Sequence, residues 1–585
     1  MSEFAFDFGF GAQLQKNGTT RFRLWAPDCQ SVCLEFGDGR MVPLHAVDEG
    51  WFEASAHAPD GTQYRYRLHK PDGLAVPDIA SRAQFGGVHG WSVVVDPRVY
   101  DWQHGDWKGR PWHEAVIEEV HVGLLGGYDG VRKRLPELAE LGITAIELMP
   151  IAEFPGARNW GYDGVLPFAP EATYGSPNAL KRLIDEAHGL GLMVLLDIVY
   201  NHFGPEGNYL PKYASPFFRK DTPTPWGPAI DVRKPAVSEF FIANASYWIK
   251  EYRFDGLRFD AAHAIIDQAW LLDFAARLRS RTDGRHVHLV LEHDDNAASL
   301  LEHGFDAQWD DDFHHALHVL LTGEKVGYYS DYAASPIASL ARAWSEGFAW
   351  QGEPSPYRGG ALRGEPSAGL PPTSFVTFLQ NHDQIGNRAF GERLSTMVAP
   401  DLLAAATAFL ILSPSIPMFF MGEEYGEKNP FLYFTAYDDE LAAAVRDGRR
   451  KEFAKFPQFN DSSKRARIPD PNDAATFAAS RPIEQNRQHE TLSRLKHLIA
   501  VRRREIIPWL DQKSTRQAEA ITEKVLLTAW HRDDGITLHL YVNFGDTQIA
   551  TPSVTGQLVY STSDVAAASI ENGCLEPANL VAWIG

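Results

Sequence analysis

Two kinds of hydrophobic period alternate through the middle of the chain. Between about residues 99 and 512, short apolar runs such as TAIELMP, LMVLLDIV and FDGLRFD are separated by stretches with apolar positions three and four apart, such as NALKRLIDEAHGLG and FIANASYWIKEYR. Strand-length runs alternating with amphipathic helices predict βα units and a parallel sheet. Eight candidate strands are read: 116–122, 144–150, 192–197, 256–260, 287–292, 305–309, 375–383 and 417–423. Eight in one such region predict an α/β fold, a (β/α)₈ TIM barrel with long insertions, over an open sheet.

The ends read differently. In residues 1–98, TRFRLWAP and QYRYRLH alternate with a period of two, and the second runs into the turn signal Lys70–Gly73. An N-terminal β-sandwich domain is expected there. In residues 513–585, VLLTAWHR and ITLHLYVNF flank Asp533-Asp534-Gly535, a hairpin signal that predicts a small C-terminal antiparallel β domain. The barrel is assigned residues 99–512. Two further stretches stand out. Leu402–Met421 is long and apolar enough to mimic a membrane span, but Ser413, Pro414, Ser415 and Pro417 divide it into a buried helix, a turn and a strand. The long loop after the third strand, rich in Pro and aromatics, predicts an ordered wall.

Composition narrows the chemistry. With 585 residues, 44% of them apolar and 22% charged, the chain is an ordinary globular one of three or four domains at about 150 residues each. Asp and Glu outnumber Lys and Arg by 76 to 55, and the formal charge of −21 repels phosphate backbones, which argues against nucleic acid and for a neutral substrate. Three cysteines exclude a disulfide framework or zinc site. The N-terminus lacks a leader pattern, so the cytoplasm and no membrane association are expected. Neither a phosphate-cradling glycine loop nor a nucleophile elbow occurs, and no cofactor or metal is expected.

Acidic residues at strand ends carry the candidate chemistry. Asp197, Asp260, Glu292 and Asp383 close the third, fourth, fifth and seventh candidate strands and converge on the rim where barrel enzymes do chemistry. Carboxylates on a neutral, aromatic-rich rim suit glycosidic cleavage, one attacking the anomeric carbon and another protonating the leaving oxygen. In GLRFDAAH, Arg258 and Asp260 alternate onto one face, so the guanidinium is expected to hold Asp260 ionised. Apolar surroundings and nearby acids are expected to raise the pKa of Glu292. His202 and His382 flank acids at rim positions and are read as sugar ligands.

These segments resemble the signature regions of the α-amylase superfamily, glycoside hydrolase family 13: DIVYNH (197–202), GLRFDAAH (256–263), the surroundings of Glu292, and FLQNHD (378–383). The resemblance implies a retaining mechanism with Asp260 as nucleophile, Glu292 as acid/base and Asp383 as transition-state stabiliser. It also implies sugar binding by Tyr162, His202, Arg258, Phe259, Ala261, Ala262, His263, His382, Gln384, Ile385, Gly386 and Asn387. Within that superfamily, ELMPIAEFPGARNWGYDG, YNHFGPEGNYL, DAQWDDDFHHALHVLLTGEKVGYYSDY, NHDQIGNRAFGERL and MFFMGEEYGEKNPFLYFT look most like the trehalose-releasing branch that cleaves malto-oligosyltrehalose. The implied partner is a neutral α-glucan oligosaccharide. The segment Asp311, Asp312, Phe313, His314 and His315 is assigned to the trehalose side, with Asp311 and His314 expected on one helical face. Glu292 is followed by His293, where relatives differ. The alternatives are a 1,4-α-glucan branching enzyme on the same scaffold and a non-catalytic glycan-binding protein.

Overall fold

A computed structural model describes residues 4–585 apart from 70–72, 225, 283 and 511, so most of the Lys70–Gly73 turn signal lies outside the described residues. Eight parallel strands close a barrel: β1 (Ile117–Val120), β2 (Ala145–Leu148), β3 (Met193–Ile198), β4 (Gly256–Phe259), β5 (His288–Leu291), β6 (Ala307–Trp309), β7 (Phe375–Phe378) and β8 (Ile416–Phe420), with β8 pairing back onto β1. Each falls within or against one of the eight expected segments. They are short and almost wholly buried because helices cover the outside and side chains fill the inside.

The period of two decides what fills it. Ile117, Ala145, Leu195, Val290, Ala307, Val376 and Met418 form an apolar inner core. Two residues further along, the inward position becomes Glu119, Glu147, Asp197 and Glu292, and Arg258 follows Gly256 in the same way. The inner face therefore turns from oil to charge within one layer of the mouth.

Residues 11–93 form two antiparallel sheets, one of four strands and one of six. Thr19–Trp25 and Gln63–Leu68 bury every second residue, and Phe22 meets Tyr64 and Phe36 between the sheets at ring separations of 4.8 and 5.7 Å. At the other end a five-stranded antiparallel sheet starts at Ser514. Its hairpin turns through Gly535 at φ 89°, a conformation that glycine adopts without strain.

Four helices matter below: α1 (Asp311–Thr322), α2 (His382–Gly386), α3 (Pro400–Leu412) and α4 (His489–Val501). α3 and β8 are the two halves of the long apolar stretch. α3 is apolar on nearly all sides because it lies between the barrel and the C-terminal sheet, where Phe409 touches Phe544. Its C-terminal carbonyls are held by Arg502, which is buried just after α4 and donates to Ile411 O, Ser413 O and Ser415 O at 2.7, 2.7 and 2.5 Å. No helix among the described residues is long and apolar enough to cross a membrane. The loop after β3 folds into a hairpin, Phe218–Thr224 with Gly227–Ile230, anchored by Phe217 against Phe203.

Candidate active site

The site assembles at the C-terminal ends of the strands around one guanidinium. Arg258 on β4 is fully buried, and its Nη1 lies 2.6 Å from Asp197 Oδ2 and 3.3 Å from Asp260 Oδ1. Its Nη2 lies 2.8 Å from Glu292 Oε2. The planar group also sits over the Trp309 ring, 4.0 Å from the centroid. Three anions around one cation keep that cation charged.

Asp260 has a second anchor. Asn201 Nδ2 donates to its Oδ2 and to its main-chain oxygen, both at 2.8 Å. Glu292 Oε2 also accepts the Ala261 N–H at 2.7 Å, and Ala261 holds φ at +38°, a strained left-handed conformation between the two carboxylates. Both anchors on Glu292 fall on Oε2. Expected apolar surroundings for this residue are thus replaced by an ion pair and a backbone donor. Asp197 lies beneath, where burial pushes it up to about 7 against the pull of Arg258, and Tyr162 donates to it at 2.6 Å.

Asp383 is the second residue of α2, whose start is capped by Asn381 through a reciprocal pair with Gln384. Burial raises Asp383 above the usual carboxylate range, with His382 opposing and Glu292 adding to the rise. Its Oδ1 accepts from Asn387 Nδ2 at 3.2 Å and lies 3.5 Å from His382 Nε2. Burial works against a charged His382, but Glu119, 2.5 Å from Nδ1, and Asp383 push it up to about 9. The imidazolium stacks on Tyr162, ring centroids 5.1 Å apart. Asp311 completes the cleft: Gln384 Nε2 lies 3.4 Å from its Oδ1, and burial, then Glu292, raise it well above the usual range.

Other expected ligands stand elsewhere. His202 meets Tyr162 O through Nε2 at 2.9 Å and Asn201 Oδ1 through Nδ1, so both nitrogens point at protein, while its face stacks on Trp226. Phe259 points outward into Phe274 and Phe305, as alternation after Arg258 requires, and Ala262 is sealed. His263 stands beside His293 and accepts from Asp294 N at 3.3 Å. Burial, then His263, push His293 down to about 4, leaving it neutral next to Glu292. Ile385 is core, and a Cβ on Gly386 would come within 2.1 Å of Trp160.

Asp311 and His314 both lie in α1, three residues apart, but they meet different partners. Asp310, not Asp311, caps α1, and His314 lies one turn deeper, where it bonds Leu379 O at 2.7 Å and Tyr329 Oη at 3.1 Å and burial drives its pKa well below the usual value. Phe313 packs on Phe409. Asp312 is sealed, accepting from Asn296 and from the N–H groups of Ala349 and Trp350 at 2.8 Å and pairing with Arg363. His315 backs Tyr328, ring centroids 4.6 Å apart, and its Nδ1 is 3.4 Å from Tyr332 Oη. Of this segment only Asp311 reaches the cleft group. Sequence reasoning missed Asn201, Glu119 and Trp309. The first two had a signal: an amide beside His202, and an acid inside an apolar strand.

Comparisons with known proteins agree with this fold. Residues 9–98 match "Carbohydrate-binding module 48 (Isoamylase N-terminal domain)", 98–226 match "Alpha amylase, catalytic domain", and 514–583 match a domain of unknown function, DUF3459. The malto-oligosyltrehalose trehalohydrolase of Saccharolobus solfataricus is 41% identical over 79% of this chain and 84% of its own. That of Brevibacterium helvolum is 36% identical over 94% and 95%. A Vibrio cholerae 1,4-alpha-glucan branching enzyme is 33% identical over only 42% and 38%. A crystal structure of a Salmonella typhimurium protein, provisionally described as an alpha amylase, superposes at TM-score 0.93 with 41% identity over 99% of this chain and 100% of that one. The chain belongs to the malto-oligosyltrehalose trehalohydrolase family, within glycoside hydrolase family 13.

Proposed function

We propose that this enzyme cleaves the α-1,4-glucosidic bond next to the terminal trehalose of malto-oligosyltrehalose, with retention, and releases trehalose. The observation that carries the reading is Arg258 holding Asp260 and Glu292 on the two arms of one guanidinium. Two carboxyls tied to one fork stand at one site, as a nucleophile and an acid/base acting on the same bond require.

In the first step an Asp260 carboxylate oxygen bonds to the anomeric carbon. The bond from that carbon to the trehalose oxygen breaks, its electron pair staying on the oxygen, which takes the proton of Glu292. With Oε2 already engaged, Oε1 is the atom left to carry that proton. In the second step Glu292 removes a proton from water as its oxygen bonds to the sugar, and Asp260 leaves as carboxylate. Asp383 faces the positive charge that develops on the ring, and the His382 imidazolium offers a donor to a sugar hydroxyl. Asp311 and Gln384 supply polar groups for the departing trehalose. His202 acts through Asn201 and Tyr162 as a positioning residue. A neutral oligosaccharide meets no penalty from the −21 charge of the protein.

The test is regiochemical. Maltotetraosyltrehalose should yield trehalose and maltotetraose as the early products. Glucose or maltose as the main early product contradicts the proposal, and new α-1,6 branches on amylose would indicate a branching enzyme.

A further inference from the structure

The chain leaves the barrel after β8 and comes back against the catalytic rim. Its helix Asp439–Glu452 has one buried side chain, and that side chain is an arginine, Arg449, 8% exposed. A guanidinium taken out of water on an otherwise solvated helix needs partners that replace its hydration. Its Nη2 donates to Gly386 O at 2.6 Å and to Arg388 O at 3.0 Å. Its Nη1 lies 3.4 Å from Glu452 Oε2. The central carbon stands 4.9 Å from the Phe453 ring centroid and 5.4 Å from that of Tyr433, so aromatic faces cover the cation.

The two carbonyls are not arbitrary. Gly386 ends α2, the short helix that carries Asp383, and such terminal carbonyls lack partners within the helix. Between Gly386 and Arg388 stands Asn387, whose Nδ2 donates to Asp383 Oδ1 at 3.2 Å. A single nitrogen of Arg449 therefore pins the main chain on both sides of the residue that orients the Asp383 carboxyl. The Arg388 side chain pairs with Glu324 at 2.8 and 2.9 Å, which holds the same turn from the other side and leaves the Gly386 carbonyl to Arg449. A second route runs through the rings. Tyr433, beneath the guanidinium, meets Trp160 edge-on at 5.1 Å, and Trp160 meets His382 at 5.5 Å.

We propose that Arg449 is a positioning residue for the glycosidic cleavage: it fixes the Gly386–Arg388 turn so that Asn387 holds the Asp383 carboxyl against the charge developing on the sugar. The inference rests on the role given to Asp383 above. A carboxyl moved away from a charge that exists only in the transition state slows the chemical step and leaves ground-state binding nearly as it was. The signature is a fall in kcat with little change in KM.

The experiment assays the full chain by fluoride release from an α-maltosyl fluoride, whose turnover does not require trehalose as leaving group. Arg449→Met, with its fold verified by near-ultraviolet circular dichroism, should lower kcat on the order of 10- to 100-fold, the scale of a small misplacement at the reacting centre. Arg449→Lys, whose ammonium donates without the planar fork, should recover part of the rate. Asn387→Ala should lower kcat by itself, and adding Arg449→Met to it should cost less than about threefold more, because both act through one carboxyl. If Arg449→Met does not fold, Arg449→Lys in the two backgrounds reads the same coupling. An unchanged kcat in a folded Arg449→Met variant overturns the proposal, as do losses that simply multiply in the double variant. Asp383→Asn separates the two levels of the argument. Full fluoride release by that variant removes the role of Asp383 and this inference with it, whereas its loss beside an unaffected Arg449→Met removes this inference alone.

Discussion

Arg258 and Arg502 are both sealed from solvent, yet one is ringed by carboxylates and the other by carbonyls. Arg258 meets Asp197, Asp260 and Glu292. Arg502 meets the main-chain oxygens of Ile411, Ser413 and Ser415, and without a counter-charge its burial pushes its pKa down to about 9. The same side chain therefore does two jobs. Among anions it fixes geometry where bonds change; among dipoles it closes the C-terminal end of a helix and the Pro-rich turn into β8. Burial alone does not mark a catalytic arginine. Its partners do.

Replacing Arg258 with Met should break the comparison most severely. Turnover falls by on the order of 10³-fold or more, because two reacting carboxyls lose their common anchor, and the fold loses about 3–5 kcal/mol as three acids are left unpaired. Arg258→Lys should recover stability more than rate, since an ammonium cannot bridge the same fork. Steady-state kinetics and denaturant titration of both variants read this directly.

Arg502→Met should separate the two jobs. Stability drops by about 2–4 kcal/mol as buried carbonyls lose their donors, while kcat at a temperature where the variant is folded stays within about twofold. A large fall in kcat with full stability would erase the distinction.

The smallest effect concerns His382. Its folded pKa, about 9, lies above the roughly 6.5 of the unfolded chain. Its contribution to stability is therefore complete below about pH 6.5 and is lost as pH rises through about 9. Glu119→Gln removes the main group holding the proton, so the alkaline limb of kcat/KM should move to lower pH, and melting temperatures of variant and wild type should converge above pH 9.

The barrel was legible because most of its strands are short, largely apolar runs set between amphipathic helices, a pattern that survives in one sequence. The carboxylates at the ends of β4 and β5 and at the start of α2 were legible because each interrupts such a run at its C-terminal end. Orientation inside α1 was not. Spacing put Asp311 and His314 three apart in one helix, as they are, but not the partner of His314, Leu379 O, whose position is set by β7, about sixty residues away in sequence. Glu119 and Glu147 stayed hidden although they point inward as Asp197 does, because they pair with each other and Glu147 with Leu195, one layer below the strand ends on which attention falls. Nothing in VRRRE distinguishes Arg502 from the exposed arginines after it, since its partners lie across the fold.

The most direct test of the central claim is the intact mass and peptide map of the Glu292→Gln variant after reaction with an α-maltosyl fluoride, whose leaving group needs no proton. Asp260 should attack the anomeric carbon and fluoride should depart. The glycosyl-enzyme should then accumulate, because the base that activates water is missing, giving one maltosyl adduct per chain on Asp260. An adduct on another residue, or none while fluoride is released, would contradict the account.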